Sequence, residues 1–179
     1  MRVLGIDPGT LVAGWGVLET EGGEARRLGS GTLALGRSST PIAERLYAFR
    51  KEVVVLLKDW EPDFLALESA FFGRNARTAL RLGEARGCVM ATAAEMGVEV
   101  REIPPAQVKR RVAGAGNATK DQVARLVGLQ LGIEGLEGGD EGDALAVALC
   151  YILEAEGVLG ECGAGGGSGD ILPPGASPA

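Results

Sequence analysis

The segment Leu4-Gly5-Ile6-Asp7-Pro8-Gly9-Thr10 is the starting point for predicting the fold of this 179-residue chain. The apolar run from Arg2 to Ile6 predicts a buried strand, and the Pro-Gly turn that follows leaves Asp7 at the edge of a sheet. A second apolar segment, Val12 to Leu18, predicts the antiparallel partner of that strand. Taken alone, Asp7 is better explained as the first residue of a turn.

Length and composition bound the class of protein. The chain is long enough for one domain with a proper core, and 46% hydrophobic with 23% charged residues is typical of a soluble globular protein. No apolar run approaches the ~20 residues that span a bilayer, and Asp7 and Pro8 interrupt any signal-peptide pattern. Three widely spaced cysteines favour neither a disulfide framework nor a zinc site. These features predict a cytoplasmic protein with no membrane association.

Histidine is absent from the sequence. This excludes Ser-His-Asp and Cys-His catalysis, histidine acid–base chemistry and the commonest zinc ligand sets. An enzyme with this composition has to use carboxylates, lysines and a hard metal ion.

The net charge of −6 is unevenly distributed along the chain. Residues 74–125 carry ten Lys or Arg against five Asp or Glu, whereas residues 126–179 carry nine acidic residues and no Lys or Arg. The basic middle could bind a polyanion and the acidic end could bind cations. The alternative is that both sets are ordinary solvated helix faces.

The order of predicted elements favours an α/β fold, a mixed five-stranded sheet flanked by helices. Further strands are predicted at residues 26–35, 64–67 and 98–103, and helices at 41–60, 75–96, 104–112, 120–129 and 140–156. Thr40 and Thr119 are predicted helix caps. Residues 1–159 are expected to form the folded domain, and the Gly/Pro-rich residues 160–179 a disordered tail.

Small residues recur at every fourth position of the predicted helix 75–96, at Ala79, Gly83, Gly87 and Ala91. Each glycine costs a helix roughly 1 kcal/mol, so close packing is a better explanation than chance. The row could contact the protein's own sheet or a second helix at a dimer interface.

Four carboxylates lie at the ends of predicted elements. Asp7 and Glu68 each end a strand, and Asp140 and Asp143 share one face of a helix's first turn. Acidic residues at a helix start are also favoured simply by the helix dipole. Four clustered carboxylates would repel one another unless cations bridged them, and Mg²⁺ or Mn²⁺ suits such oxygen ligands. Two such ions ~3.5–4 Å apart are an established device for phosphodiester hydrolysis.

Several segments together resemble the bacterial RuvC-type Holliday-junction resolvases, in that family's order and up to about Tyr151. They are Gly5-Ile6-Asp7-Pro8-Gly9, Leu67-Glu68 with Phe71, Asn75 to Gly87, Gln107-Val108-Lys109 and Asp140-x-x-Asp143-Ala144-Leu145-Ala146. The resemblance implies a ribonuclease-H-like fold and a homodimer that nicks two opposed strands of a four-way DNA junction with divalent metal. It also implies cooperation with a junction branch-migration motor complex.

The resemblance assigns roles to individual residues. It implies that Asp7, Glu68, Asp140 and Asp143 bind the metal, and that Lys109 and Lys120 hold phosphates near it. Phe71 resembles an aromatic residue that stacks on bases near the crossover, although a core position is the alternative. Arg74, Arg77 and Arg81 share a helical face that could follow a DNA backbone or simply be solvated.

Two other classes of protein remain to be distinguished. An actin-like nucleotide-binding module would explain Gly5 to Thr10 but needs two such domains, and it leaves Asp140 and Asp143 unexplained. A non-catalytic junction-binding protein would gain nothing from four carboxylates beside a polyanion. A thermal shift with ATP tests the first alternative, and cleavage of a mobile junction tests the second.

Overall fold

The structure, a computed structural model, describes residues 1–69 and 76–163, with side chains described to residue 157. The strands are β1 (Arg2–Asp7), β2 (Val12–Glu21), β3 (Glu24–Ala34), β4 (Phe64–Glu68) and β5 (Glu99–Ile103). The helices are α1 (Ile42–Trp60), α2 (Ala76–Glu95), α3 (Pro105–Ala113), α4 (Lys120–Leu131) and α5 (Asp140–Gly163).

The strands form one mixed sheet in the order β3-β2-β1-β4-β5. The first three strands are antiparallel neighbours, whereas β4 runs parallel to β1 and β5 parallel to β4. Strand β1 lies at the centre, and its residues Val3, Leu4 and Ile6 are fully buried. Such a strand shows a continuous apolar run because both of its faces are covered.

Helices cover both faces of the sheet, because successive side chains of a strand point to opposite sides. Leu4 and Ile6 pack with the buried residues of α1 and α2, such as Phe49. Val3 packs on the other face, in the core that α3, α4 and α5 share. The predicted fold class, an α/β mixed five-stranded sheet flanked by helices, is confirmed.

Glycines let α5 lie directly on β1 and β2. A Cβ at Gly5 would collide with the backbone oxygen of Ala144, and one at Gly16 would lie 2.6 Å from the Leu145 side chain. The two glycines are register partners in the hairpin. A glycine in a strand therefore marks a place where another backbone approaches closely. Here that contact positions the start of α5 against the sheet.

Of the two predicted helix caps, one is confirmed and the other is wrong. Thr119 does cap α4: its side chain accepts from the Gln122 backbone N–H, and the Gln122 side chain accepts from the Thr119 backbone N–H in return. Thr40 does not cap α1, so that prediction is wrong. The cap position is Pro41, and the Thr40 hydroxyl instead accepts a hydrogen bond from the backbone N–H of Arg37 in the preceding turn.

The row of small residues on α2 faces away from the sheet. Among the described residues, a Cβ at Gly83 or Gly87 would meet no atom within 4 Å apart from its own helix, and Ala91 is exposed. The described residues therefore give no support to packing of these glycines on the protein's own sheet. Nearby, the Leu80 side chain is 65% exposed.

Helix α5 extends to Gly163, past the predicted domain boundary at residue 159. Residues 164–179 lie outside the described residues, so the division into a folded domain and a tail stays a prediction. Among the described helices, none has the length and apolar character needed to cross a membrane.

Candidate active site

Asp7 and Glu68 end two adjacent parallel strands. Ile6 of β1 pairs with Leu67 of β4, so the two acidic residues follow at the same edge of the sheet. The carboxyl ends of parallel strands are where open α/β sheets bind ligands. The pairing of β1 with β4 therefore brings the first two predicted acids together.

The first turn of α5 carries Asp140 and Asp143 to this same edge. Gly14, the register partner of Asp7, has no side chain, and a Cβ there would collide with the backbone oxygen of Asp140. The turn is also anchored from β3, where the Ser30 hydroxyl donates to the Glu141 carboxylate at 2.6 Å. Two strands thus hold the start of α5 beside Asp7.

The acidic residues are close enough to perturb one another. Burial, followed by the negative charges of Asp143 and Asp140, raises the pKa of Asp7 from 3.8 to about 7; Lys120 opposes this and Glu68 adds to it. Burial and then Asp143 likewise raise the pKa of Glu68. Strongly perturbed carboxyl groups at a sheet edge are typical of functional sites.

Lys120 neutralises part of this negative charge. The first residue of α4, it donates through its ammonium to the carboxylate of Asp143. That hydrogen bond is the main reason why the pKa of Lys120 is raised. The capped start of α4 therefore delivers a cation directly to the acidic cluster.

A small cavity brings two of the acids, Glu68 and Asp143, together with both predicted lysines. It measures about 60 Å³, and its polar lining consists of Glu68, Lys109, Lys120 and Asp143. One water needs roughly 10–15 Å³ of such space, so the cavity has room for a few waters or for an ion with part of its hydration shell. Helix α3, which carries Lys109, is held to α5 by a 2.8 Å hydrogen bond from Gln107 to Glu154.

The four carboxylates are chemically suited to bind a hard divalent cation. Asp7, Glu68, Asp140 and Asp143 offer only carboxylate oxygens, the ligands that Mg²⁺ and Mn²⁺ prefer. Their mutual repulsion would be relieved by such an ion. Within residues 1–69 and 76–163, however, no three acidic or cysteine side chains converge into a closed ligand set.

The other predicted contact residues are less informative. Phe71 and Arg74 lie outside the described residues. Arg77 is exposed near the start of α2, and Arg81, one turn later, forms an ion pair with Glu84 at 2.8 Å. The structure therefore places Arg77 and Arg81 on α2 but does not bring either into the acidic cluster.

Two polar features of the site were not predicted from the sequence. The first is the Ser30–Glu141 hydrogen bond, which no local pattern signals because the residues are 111 positions apart. The second is Arg86, which is only 6% exposed and contacts Glu68. Its place beside Ala85 and three residues before Val89, on the buried stripe of α2, is a signal that could have revealed it.

Comparison with known proteins places the chain in a family. Residues 3–151 match the family model described as crossover junction endodeoxyribonuclease RuvC. The chain is 43% identical to the RuvC of Thermomicrobium roseum, over 84% of this chain and 92% of that protein. It is 41% identical to the RuvC of Chloroflexus aggregans, over 87% of this chain and 94% of that protein.

Solved structures agree with this placement. Thermus thermophilus RuvC in complex with a Holliday junction substrate superposes with a TM-score of 0.82 at 34% identity, covering 88% of this chain and 96% of that one. The ribonuclease-H-like fold is thereby confirmed, and the family match leaves the actin-like alternative without support. The chain belongs to the RuvC family of crossover junction endodeoxyribonucleases.

Proposed function

We propose that this chain resolves four-way DNA junctions by paired symmetric nicks, using divalent metal held by Asp7, Glu68, Asp140 and Asp143. The observation that carries the proposal is the acidic cluster at one sheet edge, where burial and neighbouring carboxylates raise the pKa of Asp7 to about 7. Two lysines border the same cavity as Glu68 and Asp143. Carboxylates for a cation and lysines for a phosphate are the groups that phosphodiester hydrolysis needs.

Each group has a defined part in this mechanism. Two Mg²⁺ ions, or Mn²⁺ in their place, would activate water and stabilise the leaving oxygen. The four carboxylates hold the metal, and Asp7 has to lose its proton first, so metal affinity falls as the pH drops below about 7. Lys120, which contacts Asp143, and Lys109 line the same cavity, and both would bind the scissile phosphate there.

Symmetric cleavage calls for two equivalent sites, which a two-fold dimer supplies. The exposed face of α2 supports such a dimer, because no other part of the described chain approaches Gly83 or Gly87 within 4 Å and Leu80 is largely exposed. Small residues at this spacing allow a second helix to approach closely. We assign the row Ala79, Gly83, Gly87 and Ala91 to the dimer interface.

DNA contacts extend beyond the catalytic cavity. Thermus thermophilus RuvC has been solved with a Holliday junction substrate, which supports four-way junction DNA as the substrate here. We assign Phe71 to stacking on bases near the crossover, and Arg74, Arg77 and Arg81 to the phosphate backbone. The protein is proposed to act in the cytoplasm alongside a junction branch-migration motor complex.

One experiment tests the proposal. Labelled four-way junction and linear duplex of matched sequence are incubated with the protein, with and without Mg²⁺. We expect ligatable nicks at symmetric positions on two opposed strands of the junction, only when metal is present. Nicking of the linear duplex at a comparable rate would refute junction resolution, and a stabilising thermal shift with ATP would favour the nucleotide-binding alternative.

A further inference from the structure

Arg86 is a buried cation that the catalytic proposal does not use. It lies in the middle of α2 and is 6% exposed, flanked by the buried residues Ala85 and Val89. An arginine is almost never buried to this extent unless it is paired. The groups that it contacts therefore indicate what it does.

Within the described part of the chain, Arg86 contacts the two strands that end beside the active-site edge of the sheet. One guanidinium nitrogen donates to the backbone carbonyl oxygen of Glu68, the last residue of β4. The other nitrogen forms an ion pair with the Glu102 carboxylate of β5 at 2.5 Å. Arg86 thus connects α2 to the ends of two neighbouring parallel strands.

The carbonyl that Arg86 contacts belongs to a residue whose carboxylate lines the catalytic cavity. Strand pairing also continues here, since the Ser69 backbone N–H donates to the carbonyl of Ile103 at 2.8 Å. Because the peptide group is planar, a contact to the Glu68 carbonyl restrains the peptide plane that follows its Cα, and with it the backbone torsion ψ of Glu68. The direction of the Glu68 side chain relative to the sheet depends on that torsion.

We propose that Arg86 is a positioning residue that orients Glu68 for metal binding, an inference that rests on the proposed function. Groups that hold a metal ligand in place typically change metal affinity or activity 10–100-fold when they are replaced. A guanidinium suits this position because its rigid fork reaches two acceptors at once, whereas an ammonium is a single point charge.

The alternative is that Arg86 only stabilises the fold. A buried ion pair is weak evidence for stability, because desolvation offsets most of the Coulombic attraction. Glu102 also remains 44% exposed, so solvent screens the pair. A purely structural role predicts loss of folded protein without a change in the metal affinity of what remains folded.

The test compares Arg86→Gln and Arg86→Lys with wild type by titrating Mn²⁺ into the full chain and following thermal unfolding. The matched control is Arg50→Gln, which breaks an ion pair between α1 and Glu95 of α2, also at 2.5 Å, without touching β4. We expect the half-saturating Mn²⁺ concentration to rise at least 10-fold in Arg86→Gln. It should rise less in Arg86→Lys and stay within twofold of wild type in Arg50→Gln. Junction affinity in metal-free buffer should be unchanged in Arg86→Gln.

An unchanged half-saturating Mn²⁺ concentration in folded Arg86→Gln would overturn the inference. If Arg86→Gln fails to fold, the test uses Glu102→Gln, which removes the ion pair on one side of the guanidinium. For this variant we expect the half-saturating Mn²⁺ concentration to rise about threefold, and no rise would overturn the inference. A wild-type protein that does not respond to Mn²⁺ would refute the proposed metal site itself. In contrast, a wild-type response to Mn²⁺ that the Arg86 variants share would overturn only the positioning role of Arg86.

Discussion

Replacing Asp7 by asparagine should stabilise the metal-free protein at alkaline pH. The substitution keeps the shape of the side chain and removes the charge that faces Asp143, Asp140 and Glu68, with Lys120 as the opposing cation. The pKa of Asp7 rises from 3.8 to about 7 on folding. At 1.36 kcal/mol per pKa unit, the ionised carboxylate lowers the free energy of unfolding by up to about 4 kcal/mol.

The sign of this effect depends on pH. Below pH 3.8 the carboxyl group is protonated in both the folded and unfolded states, so Asp7 imposes no penalty. Between pH 3.8 and about 7 the folded state binds more protons than the unfolded state, so stability falls as pH rises. The asparagine variant lacks this loss, and its advantage should therefore grow from about pH 4 and level off above pH 7.

Urea denaturation in metal-free buffer at pH 4, 6 and 8 measures the effect. The control is Asp59→Asn, an exposed carboxylate on α1, which should show no comparable trend. Mn²⁺ at 100 times its Kd should narrow the difference, because it stabilises wild type by about 2.7 kcal/mol and the variant binds it more weakly. If Asp7→Asn is less stable than wild type at pH 8, or if the difference is independent of pH, Asp7 is only a turn residue. Junction cleavage near the wild-type rate would equally refute its catalytic role.

The remaining predictions concern packing, phosphate contacts and base stacking. Gly5→Ala should destabilise the fold by about 1–3 kcal/mol in urea denaturation, because its Cβ would meet the Ala144 carbonyl; a neutral result would contradict the close approach of α5. Lys109→Ala and Lys120→Ala should slow junction cleavage more than they weaken binding, and either variant cutting like wild type would remove that residue from the mechanism. Wild-type affinity should fall steeply with added salt, through counterion release. Phe71→Ala should lose ~1–3 kcal/mol of junction interaction, whereas a large drop in Tm would place the ring in the core.

Local sequence patterns were enough to predict most helices and strands and the chemistry of the site. The apolar run before Asp7 and the run before Glu68 predict strands that end on carboxylates, because burial on both faces leaves a continuous apolar pattern. The Thr119 cap follows from local hydrogen bonding, which a few neighbouring residues encode. Absence of histidine and the spacing of Asp140 and Asp143 likewise need no tertiary information to favour carboxylate and metal chemistry.

The assembly of the site, in contrast, depends on contacts between elements that no local pattern predicts. Gly14 carries no chemistry in the sequence, yet its missing side chain is what lets Asp140 approach the strand pair that holds Asp7. Arg86 appears in the sequence as one charge among several on α2, and its pairing with Glu68 and Glu102 exists only because the helix crosses the strand ends. Local sequence encodes helices and strands through short-range hydrogen bonds and periodic burial. Contacts between residues far apart in the chain depend on which side chains, by size and charge, allow the packed layers to meet.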